Sequence, residues 1–191
     1  MERPFDLYGD LEDAYDEAEF NGDLAVTETL DVLRLWDGRP RAKGAFLYTV
    51  LKAIRGDVEA QDKVGYAFYN AEDPIRGRGR CDWMDKPLLA QYWFGLAADA
   101  GFAHSQNCLG CLYCPQCGHP SAVKLGRFAR GFWEMAAAQK YPAGIHNLTH
   151  CLRCGKCCCC DTDLQRAEAL EAEAYRLEEE ERKGKRKEGN T

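Results

Sequence analysis

Several features that mark common protein classes are missing from this sequence of 191 residues. No apolar run approaches the roughly 20 residues that a transmembrane helix needs. We find no Gly-rich phosphate-binding loop and no Ser/His/Asp or Cys/His arrangement that supports nucleophilic catalysis. The sequence therefore predicts neither a membrane protein nor an enzyme.

The N-terminal segment also lacks the basic-then-apolar layout of a secretory signal, so we expect a cytoplasmic protein. Nine of the first 23 residues are acidic and only Arg3 is basic. The net charge of −6 argues against broad electrostatic binding of nucleic acid,. An apolar share of 46% with four Trp is sufficient for the packed core of one domain, with or without tails,.

Cysteine, in contrast, is abundant. Ten of the eleven cysteines fall into two clusters, 108–117 and 151–160, and only Cys81 stands alone. In a reducing compartment, cysteines at this density point first to metal binding or redox chemistry.

A short phrase, AAxxGxxxxxxxLG, recurs along the chain. It reads AADAGFAHSQNCLG at 97–110 and AAAQKYPAGIHNLT at 136–149, with a looser copy, KAIRGDVEAQDKVG, at 52–65. Each copy joins the end of one helix to the start of the next. Repeats of this kind are typical of stacked helix pairs, so we predict an all-α protein, an α/α-solenoid of about three to four stacked helix pairs with a C-terminal capping helix.

Apolar periodicity gives the predicted organisation. Residues 1–21 form an acidic N-terminal helix, 22–160 the repeats with cysteine-rich turns, and 161–191 a charged helix with a basic disordered tail. The segment 37–44 is predicted to be a turn, and 70–87 a long connection. The predicted helices include 5–20, 24–36, 45–55, 87–101, 122–140 and 161–182.

Equivalent positions in the copies of the repeat indicate how its helices pack together. Small residues at Gly65 and Gly110 lie inside predicted first helices, where Gly costs about 1 kcal/mol relative to Ala, so close helix packing is the expected compensation. Aromatic residues are expected to fill the gaps between helix pairs (Tyr48, Trp93, Phe132). The turn into each next unit falls at Gly56, Gly101 and Lys140, and Lys140 fits a left-handed turn position least well.

These residues resemble the Sel1-like repeat, a relative of the tetratricopeptide repeat. The pattern is carried by Ala90, Trp93, Phe94, Ala97, Ala98, Gly101, Leu109, Gly110 and Tyr113. The resemblance is good over 86–152 and fair over 45–69. It implies a curved stack of helix pairs that serves as an adaptor for other proteins and carries no catalytic residue.

A secreted, cysteine-rich branch of that family staples each repeat with a disulfide and is associated with penicillin-like compounds. The cysteine positions of that branch correspond here to Ala98 and Gln106. The chain departs from the branch at both positions, so its activity is not expected here.

Two C-x-x-C-G segments, CPQCG at 114–118 and CLRCG at 151–155, have the form of zinc knuckles,. In a solenoid, both knuckles would lie at the C-terminal ends of neighbouring first helices. We therefore predict a structural four-cysteine zinc site formed by Cys114, Cys117, Cys151 and Cys154. Secondary ligand candidates are Cys108, Cys111, Cys157 and Cys158.

The other interpretations of the cysteines remain open. Cys108 and Cys111 are one turn apart on a helix and equally suit small buried hydrophobes. The knuckle cysteines can also be adventitious thiols or form disulfides. The spacing in CLGCLYCPQC misses the iron–sulfur pattern by one residue, so zinc is the favoured metal.

Three functions follow. We expect a protein-interaction adaptor, with an unknown protein partner bound in the groove lined by first helices and a structural zinc. One alternative is a nucleic-acid binder that uses a basic loop edge (Arg39, Arg41, Lys43, Arg76, Arg78, Arg80, Arg153, Lys156),. The other is a thiol redox or metal-handling protein that uses the C-terminal cysteines.

Overall fold

The structure, a computed structural model, describes residues 9–34, 40–70, 85–116, 126–155 and 162–188. In these ranges the chain forms nine α-helices and no strand. They are α1 (Gly9–Asn21), α2 (Leu24–Arg34), α3 (Pro40–Ile54), α4 (Val58–Asn70), α5 (Pro87–Asp99), α6 (Ala103–Tyr113), α7 (Gly126–Ala138), α8 (Pro142–Cys154) and α9 (Leu164–Glu188). None of these helices combines the length and the apolar character that crossing a membrane requires.

Local sequence explains where several helices begin. The carboxylates of Asp23, Asp57 and Asp163 each accept a hydrogen bond from the backbone N–H three residues later, at 3.1, 2.8 and 2.9 Å respectively. These bonds satisfy N–H groups that otherwise lack a partner in the first turn of α2, α4 and α9. Three other helices, α3, α5 and α8, begin with Pro, which has no N–H to satisfy and a φ suited to a first turn,.

Residues 1–100 form one compact unit, of which α1 to α5 are described. In this unit, α4 packs against both α3 and α5. Trp93 and Phe94 of α5 are fully buried. The indole N–H of Trp93 donates to Thr29 Oγ1 at 2.9 Å, which fastens α5 to α2 across 64 residues of sequence.

Residues 101–191 form a second compact unit, of which α6 to α9 are described. Helix α7 packs against α6 and α8, α9 packs against α8, and α6 also contacts α8. The core of this unit surrounds Trp133. Charged pairs hold α9 in place, since the guanidinium of Arg153 donates to both carboxylate oxygens of Glu171 and Arg166 pairs with Glu134 at 3.1 Å.

The two helical glycines are explained by close packing, as predicted. A Cβ added to Gly65 would lie 2.8 Å from the Phe94 ring, and one added to Gly110 would lie 2.3 Å from Trp133 Nε1. Of the predicted gap-filling aromatics, Trp93 is fully buried and bonded to α2, whereas Tyr48 is 43% exposed. The rings that cover the two glycines belong to Phe94 and Trp133.

The turns at Gly56, Gly101 and Lys140 are all left-handed, with φ of 90°, 89° and 59°. Lys140 is the only non-glycine with positive φ in the described part of the chain. The sequence repeat had marked these three positions as equivalent, and their backbone conformation confirms it.

Two helix boundaries differ from the sequence prediction. Helix α3 begins at Pro40, inside the predicted turn 37–44, because Pro is favourable at a first helical position and the Arg, Ala and Lys that follow are good helix formers. Helix α9 continues to Glu188, through most of the tail that was predicted to be disordered. The predicted connection 70–87 lies mostly outside the described residues.

Candidate functional site

Four of the clustered cysteines lie in or against the core of the second unit. Cys114 ends α6 and Cys151 lies in the last turn of α8, and both are fully buried in the core around Trp133. Cys111 and Cys154, partly buried, pack against the same core. The ends of α6 and α8 therefore contribute cysteines to the same core.

The oxidation state of these sulfurs differs between positions. Cys151 is disulfide-bonded, and Cys108, Cys111, Cys114 and Cys154 are free thiols. The predicted ligands Cys117, Cys157 and Cys158 lie outside the described residues. Within the described ranges, no three His, Cys, Asp or Glu side chains are grouped to hold one metal ion, so the zinc site stays a prediction.

Burial controls the chemistry of the Cys111 thiol. Desolvation raises the pKa of Cys111, and the nearby Cys114 raises it further. The Trp133 indole lowers this pKa. The buried N–H of that indole has no partner within hydrogen-bond distance in the described part of the chain. Asn147 Nδ2, 3.5 Å from Cys111 Sγ, also lowers it and ties α8 to α6. Cys111 is consequently held as a neutral thiol.

Cys108 has a different neighbour. Its Sγ lies 3.7 Å from His104 Nε2, one turn earlier on α6, and the residue is 5% exposed. This placement matches the prediction of a small buried side chain.

The first unit contains a pocket that the sequence did not reveal. It has a volume of about 480 Å³ and is lined by α1, the start of α2, the end of α3, Gln61 of α4, and α5. Its apolar lining includes Ala14, Val26, Trp93 and Leu96. Polar groups converge on the same space (Glu17, Asn21, Asp23, Arg55, Gln61, Tyr92).

Hydrogen bonds fix several of these polar groups. The Tyr92 hydroxyl donates to Asp23 Oδ2 at 2.7 Å, and Gln61 Nε2 donates to the Ala53 carbonyl at 3.1 Å. Burial first, and then the Asp23 carboxylate, raise the pKa of Tyr92 above its usual value. Arg55 Nη2 pairs with Asp10 Oδ1 at 2.9 Å. The pocket thus has a fixed inner wall, with Glu17 and Asn21 exposed on α1.

Comparison with known proteins identifies the fold of the chain. Neither a family model nor a curated protein matches the sequence. Among solved structures, a Sel1 repeat protein from Oxalobacter formigenes matches with a TM-score of 0.54 and 20% identity, over 68% of this chain and 88% of that one. The chain has the Sel1-repeat fold. This finding confirms the predicted fold class, an all-α protein of the α/α-solenoid type.

The Sel1-repeat fold explains why sequence reasoning found the helix pairs but missed the pocket. The repeat phrase marks residues that pack one helix on the next. Of the pocket-lining residues, Ala53, Ile54, Arg55 and Gln61 fall inside that phrase, but Glu17, Asp23 and Tyr92 fall outside it. The only available signals were the acidic composition of 1–21 and the capping position of Asp23, and neither connects to Tyr92, which lies 69 residues farther along the chain.

Helix α7 also carries an exposed apolar and aromatic surface. Phe128 is 55% exposed and Met135 46% exposed, and Phe132 stacks on Tyr113 with ring centroids 5.7 Å apart. Gly131 leaves a shallow groove between them. We call these residues the α7 face.

The basic loop edge predicted from sequence is mostly beyond the described ranges, which contain only the backbone of Arg41 and Lys43 and the side chain of Arg153. Arg153 is ion-paired with Glu171 of α9. The nucleic-acid alternative therefore stays a prediction.

Proposed function

We propose that this chain is a protein-interaction adaptor, and that the pocket between α1, α3 and α5 is its docking site. The observation that supports this proposal is the pocket, in which apolar side chains and a few convergent polar groups share one concave space of about 480 Å³. Such a combination is typical of binding sites. The Sel1-repeat fold is compatible with this function but does not assign it, because one fold hosts many functions.

The position of the pocket favours a polypeptide ligand. Its walls come from helices far apart in the chain, so the space is set by tertiary packing and not by one loop. Among the lining residues, Trp93 and Val26 are buried, whereas Leu96 is 37% exposed. A side chain entering the pocket would bury apolar area, while its own backbone stays beside the exposed Leu96.

Site-specific photo-crosslinking tests the docking site. A benzoylphenylalanine replaces Leu96 in the full chain, and a second variant carries it at Lys63, an exposed position on α4 that does not line the pocket. We expect a reproducible polypeptide segment, identified by mass spectrometry, to be captured from Leu96 and not from Lys63. Equal capture at both positions, or none at Leu96, would contradict the proposal.

We also propose a structural zinc for the reduced protein, bound by Cys114, Cys117, Cys151 and Cys154, with Cys111 as the next candidate. The supporting observation is the packing of Cys111, Cys114, Cys151 and Cys154 on one core. Two thiolate pairs from neighbouring helix ends match the ligand set of a zinc site made of four cysteines. Because Cys151 is disulfide-bonded, zinc binding requires its reduction.

Metal analysis of protein purified under reducing conditions tests the zinc. We expect about one slowly exchanging zinc per chain, lost in a Cys114→Ser, Cys151→Ser double variant and kept in Cys81→Ser. A labile metal with rapid thiol alkylation would instead favour the metal-handling alternative. If the reduced protein contains no zinc, the proposed zinc site is contradicted.

A further inference from the structure

The charge of the pocket indicates what kind of side chain it accepts. Two carboxylates line it, Glu17 and Asp23. Arg55 is the one cation among the described lining residues, and its charge is offset by Asp10 at 2.9 Å. Helix α1, which carries Glu17, has six acidic residues and no basic residue. The pocket is therefore negative, and its wall on α1 is the most acidic of the helices described in the first unit.

Two helix ends add to this charge. The last turn of α1 contributes Ala18 and Asn21 to the lining, and the last turn of α3 contributes Ala53 and Ile54. A helix C-terminus carries a partial negative charge of about half an electron, which favours a nearby cation. α1 has no basic residue in its last turn to offset this charge. The first turn of α2 also lines the pocket and acts in the opposite direction, as does Lys52 in the last turn of α3, so the negative charge of the pocket rests mainly on the Glu17 and Asp23 carboxylates.

The rest of the lining suits a long side chain with an apolar stem. The Tyr92 and Trp93 rings lie edge to face, 5.1 Å apart, beside the apolar side chains of the pocket. Lys and Arg bury their methylene stems against such surfaces while the charged head reaches polar groups. An aromatic face adds cation–π attraction. Glu17 is exposed, so a head group can approach its carboxylate from solvent.

We infer that this pocket binds a lysine or arginine side chain of a partner polypeptide. The inference rests on the docking function proposed above and adds the chemical class of the ligand. The carboxylate of Glu17 receives the cationic head, and Tyr92 and Leu96 contact the stem. A neutral or acidic side chain of the same length lacks the electrostatic part of this interaction.

Nuclear magnetic resonance of the full chain tests the inference. The probes are pools of randomised heptapeptides that differ only at the central residue, which is Lys, Arg, acetyl-lysine, norleucine or Glu. The reporter is the Trp93 indole N–H, which is hydrogen-bonded at the pocket wall, and the Trp133 indole in the second unit is the internal reference. We expect the Lys and Arg pools to shift the Trp93 signal at concentrations about tenfold below those at which the neutral pools act.

Matched variants locate the effect. Glu17→Gln is expected to weaken binding of the Lys pool about threefold, and Glu17→Lys about tenfold. Glu19→Gln, which removes an acidic residue on the same helix outside the pocket lining, is expected to leave binding unchanged. Since both positions are exposed, these substitutions test charge without disturbing the core.

Several results would overturn the inference. Equal shifts with the acetyl-lysine or Glu pools would show that charge is not recognised, and equal weakening by Glu17→Gln and Glu19→Gln would place the cation elsewhere. Free spermidine acting as strongly as the Lys pool would make the occupant a small cation and not a polypeptide. If no pool shifts Trp93 while Leu96 still crosslinks a partner, the inference fails but the adaptor proposal stands.

Discussion

Gly110 shows how little space the repeat leaves where two helices cross. Its backbone lies directly beneath the Trp133 indole, and a methyl group at this position would meet three ring atoms at 2.3 to 2.8 Å. The ring is 1% exposed and belongs to the core of the second unit, so it has nowhere to move. Gly131, on α7 itself, has open space where a Cβ would project.

Gly110→Ala is therefore expected to destabilise the protein by about 1 to 3 kcal/mol, because an overpacked core must shift its neighbours. Gly131→Ala is the matched control and is expected to stabilise by up to about 1 kcal/mol through helix propensity. Urea denaturation of the two variants checks both. Equal effects of the same sign would mean that α6 and α7 are not in the close contact described.

Tyr92 gives a residue-scale prediction about pH. Burial and the hydrogen bond to Asp23 raise the pKa of Tyr92 above 10.0, so the folded chain holds the phenolic proton more tightly than the unfolded chain. The stability gained in this way is fully present below pH 10 and is lost as pH rises through the folded-state pKa. In Tyr92→Phe, the free energy of unfolding should fall less steeply above pH 10 than in the wild type.

Denaturation curves between pH 8 and 11 measure this difference. The corresponding change at the exposed Tyr175, Tyr175→Phe, is the control and should follow the wild type. Parallel curves for all three proteins would contradict both the burial of Tyr92 and its hydrogen bond to Asp23.

At the scale of elements, α5 depends on one buried hydrogen bond to α2. Thr29 and Trp93 are both fully buried, and the Thr29 hydroxyl accepts the Trp93 N–H while donating to the Ala25 carbonyl at 2.8 Å. Because Trp93 also lines the pocket, this bond helps to keep the pocket wall in place.

Thr29→Val preserves the shape of the side chain but leaves the indole N–H without its acceptor, which should cost about 1 to 3 kcal/mol. Thr49→Val is the matched control, since the Thr49 hydroxyl bonds within its own helix, to the Ala45 carbonyl, near the surface. Thermal unfolding compares the two. A Thr29→Val effect no larger than that of Thr49→Val would contradict the coupling of α5 to α2.

The elements also show what the sequence could predict. Helix pairs follow from local signals: the Gly at the turns, the Pro and Asp at helix starts, and the apolar stripes that place Ala90 and Trp93 inside. The start of α3 was missed because Pro40 and Gly44 look like turn residues when read alone. The pocket could not be predicted, since the distance between Asp23 and Tyr92 is set by the packing of α5 on α2 and by no sequence spacing.

At the scale of the whole molecule, charge and cysteine are unevenly distributed. The acidic residues of α1 and the described pocket belong to residues 1–100, and the cysteine-lined core belongs to residues 101–191. We therefore propose that the first unit binds the ligand and that a metal stabilises the second. On this account, mutating the cysteines changes the stability of residues 101–191 and leaves peptide binding near Trp93 intact.

Hydrogen exchange of the full chain, with and without the Lys-centred heptapeptide pool, tests the docking site most directly. We predict slower exchange in residues 14–26 and 92–96, which border the pocket, and no change in 127–135, which form the α7 face. Protection confined to 127–135 would contradict the account and move the docking site to the aromatic surface of α7.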